Sequence, residues 1–406
     1  MQYIEPGSKS QKRASAGVLI GSTITFAIMY SPQPLISLYS EKYNITPATA
    51  GLSISLTTIA LAVSLFFVSF LSGALNRKKI MSLSLIVTSC LSIISAFVND
   101  FQVFLLIRFL EGISIACFPS IAMAYLNEEF SPGNIGKVMG YYVAGTATGG
   151  FTGRLIIGTL SDLTGWHIAF LIQGILSLLG SLWFFIFLPE SENFTKSKIT
   201  FHKWISSMKR TVLNKNLFSM YLTAFLLMGA YITILNYIGY PLTKPPYNLS
   251  QTFFGFLFVV NLFGVYSSIL FGKLADRYSR RKILGLAVMI IISGVLLTLN
   301  HHLAIKIIGV AAVAFGFMAG HSVASSFMGL LAPKDCKGQA SSIYLLFYYS
   351  GSSLLGWIGG FILTNFQWAG LVFYVILLLL LAFCIACRPI SKVVGYLVVK
   401  PYHQRS

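Results

Sequence analysis

The 406-residue sequence predicts an all-α integral membrane protein, with 12 transmembrane helices forming two six-helix pseudo-repeats around a central cavity. Three observations predict it. First, only 10% of the residues are charged and 56% are apolar, whereas a soluble chain carries about 25% charged residues. With a mean hydropathy of +0.77, there is too little charge to coat a water-facing surface, and the bilayer must be most of the solvent. The second observation is a succession of long apolar runs, and the third is a repeat at half the chain length.

A run of about 20 mostly apolar residues crosses the hydrocarbon core. Twelve such runs occur, at 16–38, 50–72, 80–98, 101–124, 137–159, 167–188, 217–240, 252–272, 283–299, 304–330, 340–363 and 368–388. The first carries Pro32 and Pro34 near its far end, where they bend the helix, and it leads into a charged turn. It is therefore a retained span and not a signal peptide.

The formal net charge of +18 comes from 29 Lys+Arg against 11 Asp+Glu. A basic chain raises nucleic acid as a partner, but these residues sit in short clusters between the spans and form no stripe. No nucleic-acid partner is expected. With the N-terminus inside, 24 basic residues fall on the inner side and only Lys42, Lys244 and Lys306 on the outer. The positive-inside rule then places both termini in the cytoplasm of a multi-pass plasma (inner) membrane protein, expected to be a monomer in the lipid bilayer. The five cysteines suggest neither a disulfide framework nor a metal site. Cys384 and Cys387 form a CxxC at a span end, read as small apolar fillers rather than a redox pair.

Three landmarks recur across the two halves. Tyr43-Asn44-Ile45-Thr46 returns as Tyr247-Asn248-Leu249-Ser250 at an offset of 204, where Thr46 or Ser250 can cap the following helix. The basic turn Arg77-Lys78-Lys79 returns as Arg280-Arg281-Lys282, and Trp166 returns as Trp368, each opening the last span of its half at the membrane interface. The predicted units are a bundle at 1–188, a linker at 189–216, a second bundle at 217–388 and a tail at 389–406. The linker carries Trp204, Ile205, Met208 and Val212 at helical spacing among basic residues. It is read as an interfacial helix on the inner membrane surface, with a solvated loop as the alternative. Two parallel halves of six spans are the plan of a carrier that rocks around a central site.

Three motif regions carry a family resemblance. After span 8 the chain reads Gly272-Lys273-Leu274-Ala275-Asp276-Arg277-Tyr278-Ser279-Arg280-Arg281-Lys282, in which glycine permits a tight helix exit and Asp276 among arginines can form charge-assisted hydrogen bonds. Span 4 contains Arg108-Phe109-Leu110-Glu111-Gly112, and span 5 has Gly136, Gly145, Gly149 and Gly153 at spacings of 9, 4 and 4. Small residues every four let helices approach closely. In these motifs the sequence resembles the major facilitator superfamily along its whole length, and within it the drug:proton antiporter-like efflux permeases. The resemblance implies a cytoplasmic latch at Gly272, Asp276, Arg277, Arg280 and Arg281, with its first-half copy reduced to Arg77, Lys78 and Lys79, because Ser69, Gly73 and Asn76 replace Gly, Asp and Gly. Without a carboxylate at Gly73, the inner gate should lean on Asp276, or on Glu128 and Glu129. The glycines of span 5 match the family's antiporter motif except at Gly150 and Arg154, which implies proton-coupled export of a small organic compound.

Ionisable residues within spans are functional hypotheses by default. Glu111 is the one carboxylate well inside a span. It is the leading proton site with Arg108, although a self-paired couple that only fixes packing is the alternative. Arg154 lies about 10 Å below the outer end of span 5, at the depth of Arg108. It either attracts an anionic or zwitterionic substrate group in the cavity, or snorkels or pairs with Asp162. Tyr30, Gln33, Tyr141, Tyr142, Gln173, Asn236, Asn261, Tyr348 and Tyr349 are weaker cavity candidates, and His321 has the range for a proton switch or serves packing. A facilitator or importer of a sugar or organic anion is the competing transport reading. A lipid-modifying membrane enzyme is disfavoured by the absence of HExxH, Walker and GxSxG motifs. No cofactor is implied.

Overall fold

The computed structural model describes residues 3–71, 76–131, 134–194, 201–333 and 336–387. The expected tail and Gly73 lie outside the described residues. The described chain is almost entirely helical, and nine helical stretches are long and apolar enough to cross a membrane. One of them, Lys337–Cys387, is broken at Gln367 and supplies spans 11 and 12. Ile135–Thr164 and Arg280–Leu297 complete the set as spans 5 and 9. The twelve predicted spans are thus present.

Local sequence explains the interruptions. Span 1 is helical over Lys9–Tyr30, passes through a 3-10 turn at Gln33–Leu35 and resumes as Ile36–Lys42, because Pro32 and Pro34 offer no backbone N–H. Span 4 divides into Phe101–Ile115 and Cys117–Glu129, and span 8 into Gln251–Leu257 and Val260–Arg277. Spans 2, 3, 6, 7 and 10 are Pro47–Leu71, Arg77–Ser95, Trp166–Phe187, Lys215–Tyr237 and Leu303–Leu331.

The repeat is written into the backbone. Asn44 and Asn248 both take left-handed φ, at 49° and 47°, a conformation asparagine tolerates better than most residues. The next hydroxyls cap as expected: Thr46 Oγ1 accepts from the Thr49 N–H at 3.2 Å and Ser250 Oγ from the Phe253 N–H at 3.3 Å. Gly149 lies against the Thr23 carbonyl and Gly351 against the Phe225 carbonyl, so neither position has room for a Cβ. Both pairs are related by one offset of 202. The same contact therefore fastens span 5 to span 1 and span 11 to span 7.

The halves meet at the face opposite the basic turns, here the far face. A Cβ on Gly360 would meet Ala48, one on Gly158 would meet the Gln251 carbonyl, and one on Gly255 would meet the Arg154 and Leu155 backbone. Span 5 packs on the first helix of span 8, while nearer the basic face Gly136 and Gly140 have nothing within 4 Å of an added Cβ. Spans 5 and 8 are closed at the far face and diverge toward the basic face.

Two expectations change here. Trp166 does not float at an interface: it is 3% exposed, packed edge-on against Tyr39, Phe104 and Phe170. The linker forms a helix at Phe201–Val212, with Trp204 and Met208 buried while Ile205 and Val212 stay exposed. Its stripe faces partly protein and partly open surface.

Candidate functional site: the joint between the halves

Span 1 positions the site, because its break frees backbone carbonyls inside the bundle. Pro32 cannot donate to the Ile28 carbonyl four residues before it, and buried carbonyls require donors. Arg108 supplies them together with the Ser31 hydroxyl, which donates to Ile28 O at 2.9 Å. Arg108 Nη1 donates to Ile28 O at 3.2 Å, its Nη2 to Met29 O at 2.8 Å and its Nε to Ser53 O at 3.1 Å. Glu111 Oε2 accepts from Nη1 as an ion pair, both side chains being fully buried. The guanidinium ties span 4 to spans 1 and 2 within the first half, while Glu111 Oε1 has no hydrogen-bond partner among the described residues.

Arg154 occupies a different setting. It is 3% exposed, with its guanidinium 4.4 Å from the Tyr30 ring centroid and 4.3 Å from that of Phe258. This is a cation between two aromatic faces, one from each half. Its Nε donates to Gln33 Oε1 at 2.7 Å, and Gln33 Nε2 donates to Asn236 Oδ1 at 2.6 Å. Nη1 bonds the Gly150 carbonyl one turn back. Among the described residues Nη2 has no hydrogen-bond partner, and no carboxylate pairs with Arg154. The alternatives of snorkelling and of pairing with Asp162 are overturned. Asp162 is taken by the start of span 8, where it accepts from the Gln251 N–H at 3.2 Å, the Thr252 N–H at 2.7 Å and the Thr252 hydroxyl at 2.5 Å. A carboxylate is favoured there by the free amides and dipole of the helix.

The second half presents an aromatic wall beside this joint. Tyr231 stacks on Phe317 at 3.9 Å, Phe317 lies 6.0 Å from His321 and His321 4.7 Å from Tyr348. Tyr231 donates to Asn261 Oδ1 at 2.9 Å, and the Tyr344 hydroxyl lies 3.0 Å from His321 Nδ1. Tyr349 packs edge-on against Tyr348. Gln173 is buried without a hydrogen-bond partner among the described residues, and Tyr142 is half-buried. Phe258, Tyr231, Phe317 and Tyr344 were not among the sequence candidates. Tyr344 alone carried a repeat signal, standing 202 residues after Tyr142, the offset that relates Gly149 to Gly351.

The glycine pattern of span 5 divides. Gly145, Gly149 and Gly153 seat the helix against Ser22, Thr23 and Ala27, whereas Gly136 packs against nothing. The latch residues also pair locally. Asp276 takes Arg280 of its own half, and Arg280 Nη1 reaches Ser326 Oγ at 2.7 Å. Arg77 binds Glu128 at 2.7 Å and lies 4.7 Å from the Phe194 ring centroid, and Lys78 reaches Glu190 at 3.1 Å. Glu129 holds Ser191 and Asn193 at the start of the linker. Among the described residues, these pairings of Asp276, Glu128 and Glu129 do not bridge the halves, in contrast to the expected inner gate. Asn76, which stands where the family's second glycine is expected, caps span 3 by accepting from the Lys79 N–H at 3.1 Å.

Two pseudo-symmetric membrane bundles meeting at a polar joint define a multi-pass membrane transporter. The Major Facilitator Superfamily model matches residues 18–244 and again 217–397, and the chain belongs to that family. It is 42% identical over 382 residues to the uncharacterized MFS-type transporter YybF of Bacillus subtilis (strain 168), covering 94% of each chain. It is 34% identical to the inner membrane transport protein YnfM of Escherichia coli (strain K12), over 95% of this chain and 93% of that one. Among solved structures, a bacterial homolog of the human lysosomal transporter Spinster, inward-facing and unoccupied, superposes with a TM-score of 0.76 at 16% identity, over 94% of this chain and 97% of the other. These relatives are transporters and not enzymes, in keeping with the reading of the sequence.

Proposed function

We propose that this transporter exports a small organic anion by alternating access, in exchange for protons, with Arg154 as the anion-binding group. The observation that carries this reading is the seat of Arg154: a cation without a carboxylate, held between rings of the two halves, with one guanidinium nitrogen unbonded. A carboxylate is the ligand a guanidinium fork recognises best. Gln33, Asn236 and Asn261 add neutral amides, and Tyr30 and Tyr348 add aromatic surface, so the surroundings supply no second charge. The basic face is the cytoplasmic one by its charge excess, and substrate enters there in the conformation described. Export rests on the glycine register of span 5. Glu111, with one oxygen unpartnered inside the bundle, is the proton carrier of this scheme.

The test is flux in proteoliposomes, with a panel of monocarboxylates and their uncharged amides under an imposed pH gradient. Acids are carried and amides are not, and Arg154→Gln raises KM for the acids by about 10- to 100-fold, the worth of a charged hydrogen bond. Equal transport of acids and amides, or an unchanged KM in Arg154→Gln, refutes the anion site. Flux indifferent to the gradient refutes proton exchange. Normal coupling in Glu111→Gln removes Glu111 alone, and accumulation by right-side-out vesicles reverses the direction.

A further inference from the structure

Three side chains of the joint pass hydrogen bonds on in one direction. A guanidinium has only donors, so Arg154 Nε must meet the oxygen of the Gln33 amide, which it does at 2.7 Å. The Gln33 nitrogen is left for Asn236, whose Oδ1 accepts from it at 2.6 Å. The Asn236 amide is thereby oriented as well, and its Nδ2 is the donor at the end of the chain. Among the described residues neither Asn236 Nδ2 nor Ser37 Oγ of span 1 has a hydrogen-bond partner, although both side chains are more than nine-tenths buried. Buried polar groups are hydrogen-bonded as a rule, so each calls for a further partner. Both residues line one cavity of about 10 Å³ between the halves, together with Gly239, Phe254 and Phe258. That is about the room one water requires, given two or more polar partners. Gly239, just after span 7, makes the space. A Cβ there would stand 3.6 Å from Ser37 Oγ and 3.9 Å from the Phe254 ring, ordinary contact distances, so an added methyl fits without a clash.

We infer that this cavity is a binding site for a single water molecule, which accepts from Asn236 Nδ2 of the second half and donates to Ser37 Oγ of the first. The direction of the hydrogen-bond chain selects the occupant. A cation would face an amide nitrogen that offers only protons, an apolar group would leave two buried polar atoms unsatisfied, and a carboxylate is too large for the space. The water adds a second link across the joint beside the direct bond from Gln33 to Asn236, and it is released when the far face opens. The site does not depend on the transported compound.

X-ray radiolysis tests it, because hydroxyl radicals formed from a bound water oxidise the side chains beside it even where these are buried. Full-length protein in nanodiscs is irradiated, and oxidation of each phenylalanine is read by peptide mass spectrometry. Phe254 and Phe258 should be oxidised above Phe170 and Phe184, which are comparably buried inside the first half. In Gly239→Ala, accepted only if it elutes as the wild type does, the methyl takes the room of the water and that excess should be lost. Ser37→Val, which replaces the hydroxyl by methyls, serves the same test should Gly239→Ala not fold. Oxidation of Phe254 and Phe258 no higher than that of Phe170 in the wild type overturns the site, because no water is then held there. An excess that survives both substitutions overturns it too, since the radicals would come from solvent that enters through the joint.

Discussion

Closure of the far face depends on Asp162, an exposed carboxylate of span 5 that takes three hydrogen bonds from the first residues of span 8. Asp162→Asn keeps the shape and one acceptor oxygen but removes the charge. Loss of a charge at a helix N-terminus costs about 0.3–1 kcal/mol, and weakening exposed bonds to the second oxygen costs about 0.5–1.5 kcal/mol. Because these contacts join the two halves, their loss falls on the far-closed state alone. A shift of about 1–2 kcal/mol raises the far-open population by about 5- to 30-fold. Ser37 reports it, being 4% exposed at the far side of the joint. In a background with the five native cysteines replaced, Ser37→Cys is modified by a membrane-impermeant maleimide at a rate proportional to the far-open fraction. That rate should rise by the same factor in Asp162→Asn while the melting temperature holds. An unchanged rate with intact protein would refute the assignment of Asp162 to far-face closure.

Two further outcomes follow from single contacts. Arg108→Gln takes a donor from the Met29 carbonyl, leaves the Ile28 and Ser53 carbonyls to the Ser31 and Thr57 hydroxyls, and leaves Glu111 buried without its cation, a loss of about 3–5 kcal/mol. Thermal unfolding in detergent should show it, with Arg108→Gln/Glu111→Gln recovering part. Gln367 has φ 55° and ψ −164°, a region tolerated almost only by glycine, and its repeat counterpart is Gly165 at φ 87° and ψ 154°. Gln367→Gly should raise stability by about 1–3 kcal/mol and Gly165→Gln lower it similarly, measured as opposite shifts in melting temperature.

The spans, their repeat and the Asn44 and Asn248 turns were legible because each rests on local chemistry: hydropathy, capping hydroxyls, missing proline amides. The left-handed bend at Gln367 was not, since glutamine carries no turn signal and only alignment with Gly165 discloses it. Asp162 lies near the end of span 5, but its partners are 89 and 90 residues away, and nothing in its own neighbourhood names the start of span 8. The latch region shows the same boundary. The family resemblance grouped Asp276 and Arg280 as a unit, whereas whether such a unit bridges the halves depends on which face is closed.

Arg108 and Arg154 show how far depth and charge can carry a sequence argument. Both were placed about 10 Å inside the far face by helical rise, and both are buried. What separates them is the backbone they meet. Arg108 stands opposite the break in span 1, where proline has released carbonyls, and with Glu111 its charge and three backbone acceptors are accounted for inside one half. Among the described residues no contact of Arg108 crosses between the halves. Arg154 meets intact helix at Gly150 and finds its partners in Gln33 of its own half and, across the joint, in Phe258 and, through Gln33, Asn236. None of these neutralises it. A buried cation stabilised only by dipoles and ring faces is costly in hydrocarbon, and an anion arriving from the open basic face relieves that cost. Ligand binding and the contacts that close the far face therefore compete for one guanidinium, so that substrate should loosen the closure: saturating carboxylate should speed maleimide labelling of Ser37→Cys, and should fail to do so in Arg154→Gln.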